Sequence, residues 1–134
     1  MKIEGKKVSV NANRKKVYEF LSNFNNYEKL MPEQIVNWKS EDENCSFTVK
    51  GMADLSLKFE EKNPPIFIKI VPNGKVPFSF TLLVNLEEDS LNEQKTTAGV
   101  DVDANLNPML AMMAKRPLEN LVNVMAENLN IVFP

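Results

Sequence analysis

Asn107 to Phe133 carries the longest helical pattern in this chain, and it comes last. Asn107 suits an N-cap, and Pro108 suits the first helical position, where its missing N–H costs nothing. Leu118, Leu121, Val122, Met125 and Leu129 recur at three-and-four spacing, which gathers them on one face. An apolar helical stripe needs an apolar surface to lie on, so the pattern predicts a covering helix and limits what the upstream chain must build.

That upstream chain changes period at Ile35. Val36 and Trp38 alternate with Asn37 and Lys39, and Cys45, Phe47 and Val49 form one face of a returning strand after E-D-E-N at 41–44. Ala53, Leu55, Leu57 and Phe59 alternate with Asp54, Ser56, Lys58 and Glu60, the clearest half-buried strand in the sequence. N-P-P at 63–65 and P-N-G-K at 72–75 read as turns on either side of a strand from Ile66 to Val71. Phe78, Phe80, Leu82, Val84 and Leu86 line one face of the next strand, and Thr96, Ala98, Val100, Val102 and Ala104 one face of the last. Ahead of these, Lys2 to Asn11 reads as a first strand. Asn13 caps a helix that buries Val17, Phe20, Leu21 and Phe24, and a second short helical turn spans Asn26 to Met31 before Pro32.

The expectation is one domain, residues 1–134, of α+β class. A strongly curved seven-stranded antiparallel sheet wraps around the long C-terminal helix, with two short helices between strands one and two and the first strand beside the last. A curved sheet cannot touch a straight helix along its whole length, so space should open between them.

Several function classes lose ground. There is no histidine, which removes the commonest general base, the commonest transition-metal ligand and imidazole-based triads. Four glycines leave no Gly-rich phosphate loop or dinucleotide fingerprint, so no cofactor or metal site is assigned. A net charge of −2 with scattered lysines makes nucleic acid a poor partner. No run of about 18 apolar residues suggests a membrane span. A lone Cys45 and an N-terminus without an apolar core point to the cytoplasm.

The order of elements, V-S-V-N-A-N-R-K-K-V-Y-E-F-L-S-N-F at 8–24 followed by L-M-P at 30–32, and the Pro108-led terminal helix resemble the START-like superfamily, also called SRPBCC or Bet v 1-like. The similarity covers essentially the whole chain and includes no diagnostic catalytic motif; Asn13-Arg14 stands where many members have a proline opening the first helix. The resemblance implies a helix-grip fold with an apolar cavity for lipids, sterols, polyketides or similar molecules.

Alternation selects the candidate lining: Phe47, Leu55, Leu57, Phe59, Phe78, Phe80, Leu82, Val84, Val100 and Val102 from the sheet, and Met109, Met112, Met113, Leu118, Leu121, Val122 and Met125 from the helix. The alternative is a dry core of the same side chains. Three thioethers within five residues weigh toward an adaptable binding surface. Pro117 either kinks the helix or opens a new one; in both cases Pro108 to Arg116 is a candidate gate, facing a loop from Pro72 to Pro77, and a static kink is the alternative. Asp54, Asp101 and Asp103 alternate outward, Cys45 inward without a base to activate it, so no catalytic residue is assigned. Tyr18, Tyr27, Trp38 and Arg116 are candidates to orient a ligand's polar end. The partner expected is therefore a small hydrophobic molecule, bound by a monomer or homodimer; a cyclase or hydratase acting on such a molecule, or a module docking a protein partner, is the alternative.

Overall fold

The computed structural model describes residues 1–76 and 78–134. Strands β1 (Lys2–Glu4) and β2 (Val8–Val10) lead into helix α1 (Arg14–Leu21) and two 3-10 turns, Phe24–Asn26 and Glu28–Leu30. Then come β3 (Ile35–Ser40), β4 (Asn44–Val49), β5 (Ala53–Asn63), β6 (Phe67–Pro72), β7 (Ser79–Glu88), β8 (Thr96–Asn105) and helix α2 (Pro108–Val132). All strands join one antiparallel sheet in the order β1-β8-β7-β6-β5-β4-β3, with β2 also on β8. This is the expected α+β helix-grip architecture, with the first strand beside the last.

Period-two patterning sets the buried face. Val84 pairs with Val100, Leu82 with Val102 and Leu86 with Ala98 across β7 and β8. Phe47 pairs with Leu55 and Cys45 with Leu57 across β4 and β5. All are buried. Asn107 caps α2 as its side chain accepts from the Leu110 N–H at 2.9 Å. Asn13 does the same for α1, accepting from the Lys16 N–H at 2.9 Å.

Two local features depart from the simple alternation. The expected first strand is split, because Gly5 passes so close to β8 that a Cβ there would collide with the Val100 carbonyl oxygen. Its N–H leaves the ladder and donates to Asp101 Oδ1 at 3.0 Å. In β3, Asn37 takes φ +57° and the register shifts between Val36 and Lys39. That bulge puts Val36 opposite Thr48, while Ile35 is opposite Val49 and Trp38 stacks on Phe47 at 5.4 Å. Val36 and Trp38 therefore do not share a face as their spacing suggests.

The helices cover the sheet unevenly. α2 packs on β8, β1, β2 and the second 3-10 turn, α1 on β7, and the first 3-10 turn on β4. The concave surface of β4, β5 and β7 is left least covered toward the end where α2 begins.

Candidate functional site

That uncovered strip holds an apolar cavity. Phe47 and Val49 of β4, Leu55 and Leu57 of β5, Phe78 with Phe80 and Leu82 of β7, and Pro117, Leu118 and Leu121 of α2 line it. Ile35, Gln34 and the turn residue Met52 close its rim. Gln34 is the one polar side chain among the described lining residues. Its volume is about 20 Å3, room for roughly one water-sized sphere. Sheet and helix thus do leave a gap, but a nearly closed one.

Phe47, Leu55, Leu57, Phe78, Phe80, Leu82 and Leu121 come together here as alternation predicts. Phe59 does not. It stacks on Phe24 at 4.1 Å, in an aromatic cluster with Tyr27 under the first 3-10 turn. Val84, Val100, Val102, Val122 and Met125 are buried, Val100 and Val102 on β8 beneath α2, and none of them reaches the cavity. Met109, Met112 and Met113 are corrected most sharply, at 73%, 84% and 67% exposed. The cause is helical phase. At about 100° per residue, Ala114, Leu118, Leu121 and Met125 point to the sheet, which turns positions 109, 112 and 113 to the far side. The same phase, carried back from Leu118, was readable without coordinates.

Gln34, Ile35, Val49, Met52 and Pro117 join the lining without having been selected, whereas Leu118 was. For Ile35 and Val49 the signal was available, since both continue the face of Phe47; Met52 sits in a turn, where no alternation applies. The backbone ties these rim pieces together: the Lys50 N–H donates to the Gln34 carbonyl at 2.9 Å. Gly51 and Gly74 take φ +74° and +86° in the β4–β5 and β6–β7 turns, a region L side chains avoid. Pro77, assigned to the facing loop of the gate, lies outside the described residues. α2 runs unbroken from Pro108 through Pro117, which leaves the Met113 carbonyl without the N–H it would otherwise accept.

None of the polar candidates Tyr18, Tyr27, Trp38 and Arg116 lines the cavity. Tyr27 donates its hydroxyl to the Leu21 carbonyl at 2.7 Å, and burial raises its pKa. Tyr18 is also buried, which raises its pKa. Trp38 keeps a buried indole N–H without a partner among the described residues. Asp54 accepts from the Thr48 hydroxyl at 2.6 Å on the convex face, where Asp101 binds Gly5. Cys45 is buried beside Phe47, outside the cavity, and burial pushes its thiol up to about 12 against a backbone hydrogen bond with Leu57 that lowers it. It is a protonated, apolar core residue at neutral pH.

No family model matches this sequence, and no curated protein does. Solved structures do match across the whole chain. A START superfamily protein from Mycobacterium smegmatis is 17% identical, with 98% of this chain and 96% of that one covered at a TM-score of 0.69. A conserved protein from Geobacillus kaustophilus is 14% identical over 99% and 95%, with a TM-score of 0.70. The Aha1 dimer from Colwellia psychrerythraea is 14% identical over 99% and 96%, with a TM-score of 0.62. The chain has the START-like fold. No helix among the described residues is long and apolar enough to cross a membrane.

Proposed function

From this START-like fold, we propose that the protein binds a small, largely apolar molecule, such as a lipid, quinone or polyketide-like compound, between β4–β5–β7 and α2. The observation that carries the reading is the lining: an apolar surface from two layers of the fold meets around a gap that neither layer fills, with Gln34 the one polar side chain among the described lining residues. Affinity would come from shape and from about 25 cal/mol per Å2 of apolar surface removed from water. A drug-sized ligand needs roughly 300 Å3 or more, so the walls must part to admit one. Pro117 marks where α2 lacks a backbone bond, and on this reading the segment Pro108 to Arg116 is the part that shifts. The enzymatic alternative needs a proton-transfer group at the cavity, and the described lining supplies none.

Titration with a fluorescent fatty acid, displaced by a panel of lipids, quinones and aromatic polyketides, tests the reading. Enhanced emission that competitors reverse, and that Leu121→Trp abolishes while circular dichroism stays unchanged, supports it. If nothing binds and nothing displaces, the cavity is only a packing defect. Amide exchange adds a test of the gate: equal protection of 109–116 with and without ligand removes it.

A further inference from the structure

Met109, Met112 and Met113 do not serve the cavity, so their exposure needs another account. Monomeric proteins seldom leave neighbouring large apolar side chains this open without a use for them. They occupy one side of the first turns of α2, together with Arg116 at the same helical phase. In an antiparallel meander alternate turns fall at opposite ends, so the β4–β5 turn, the β6–β7 turn and the start of α2 form one tip of the molecule. Lys50, Lys75, Lys115 and Arg116 all lie at this tip, exposed, and none makes an ion pair among the described residues. Glu33, beside Gln34, is the exposed acid in its turns; Asp54 at the start of β5 is held by Thr48 on the convex face, and exposed Asp103 near the end of β8 lies opposite Lys2. The opposite end carries Glu41, Asp42, Glu43, Asp89 and Glu93 against Lys95 in its turns, together with Arg14, Lys15 and Lys16 at the start of α1, where Arg14 meets Glu88. A chain of net charge −2 therefore presents a cationic end to one side, and that end bears the bare thioethers.

The geometry points to the surface of an anionic lipid bilayer as the occupant of this tip. Methionines at the acyl boundary with lysine and arginine heads raised to lipid phosphates satisfy both halves of the surface. A second copy fits worse: a two-fold contact through the patch brings the Lys115 and Arg116 charges of both copies into one interface with no acid of the patch to offset them. The rim of the cavity lies on the same tip, since Val49, Met52, Phe78 and Pro117 neighbour these cations in sequence. The proposal stands on the exposed surface and does not depend on what fills the cavity.

Co-sedimentation of the full chain with vesicles of phosphatidylcholine, and of phosphatidylcholine with about one-third phosphatidylglycerol, is the test. Binding to the anionic vesicles alone, weakened as salt rises from about 0.1 M to about 0.5 M, is the expected result. Met112→Gln/Met113→Gln and, separately, Lys115→Gln/Arg116→Gln should each weaken it about tenfold. Both pairs are exposed, so the fold should persist by circular dichroism. No sedimentation with anionic vesicles overturns the proposal. So does a concentration-dependent dimer in analytical ultracentrifugation that Met112→Gln/Met113→Gln dissolves, because the face is then a self-contact. Vesicle binding without fatty-acid binding keeps this inference and removes the ligand reading; the reverse result does the opposite.

Discussion

At the residue scale, Gly5 and Cys45 show how little room single positions have. Gly5→Ala forces a methyl group against the Val100 carbonyl, backbone that cannot step aside, and should cost about 1–3 kcal/mol in urea unfolding. Cys45 gives a pH signature. Its thiol has an ordinary value of 9.0 and is pushed up to about 12 when folded, so the unfolded chain releases this proton first as pH rises. The stability present below pH 9 is then lost progressively up to about 12. Tyr27, raised from 10.0 by burial, adds a loss of the same sign. Urea midpoints across this range should fall, and Cys45→Ala should fall less steeply from its own lower starting point. A thiol reagent at neutral pH should label Cys45 only as the chain unfolds. None of this depends on a motif; that Cys45 faces inward was legible from its alternation with Phe47, while the clash at Gly5 depends on how closely β1 crosses β8, which no local pattern records.

At the scale of elements, α2 was the most legible part of the chain and also held the main error. Its N-cap, its first-position proline and its buried stripe all stand as the spacing predicts. The methionines were placed by composition instead of phase, and an apolar side chain is not bound to be a buried one. The bulge at Asn37 was hidden for a different reason: one residue in a left-handed conformation reverses the facing of those after it, and asparagine is common in many other settings. Two substitutions probe the helix. Asn107→Ala removes the bond to the Leu110 N–H and should cost about 1 kcal/mol. Pro117→Ala gives the Met113 carbonyl a donor again and should stabilise by up to about 3 kcal/mol, with slower amide exchange over 109–116. If that exchange is unchanged, Pro117 is not what loosens the segment.

At the scale of the whole molecule, the sheet closes through its most distant partners. Ile3 pairs with Val102, and the Met1 amino group donates to the Ala104 carbonyl at 2.7 Å. Contacts of that separation form late, since their loop-closure entropy is met only once β7 and β8 are in place. Ile3→Ala should therefore speed unfolding and leave the folding rate nearly unchanged in stopped-flow chevron measurements. An equal slowing of folding would put β1 in the nucleus. The sequence announced this pairing only through the order of elements, because no residue of β1 advertises its partner.

The rims of the sheet have a consequence for the molecule in a crowded solution. One rim is β1 and β2, three residues each and parted at Gly5, and the other is β3, broken at Asn37 by a left-handed residue. A foreign strand that tried to zip along either would run out of ladder within a few bonds, so the fold resists growing into a fibre from its own edges.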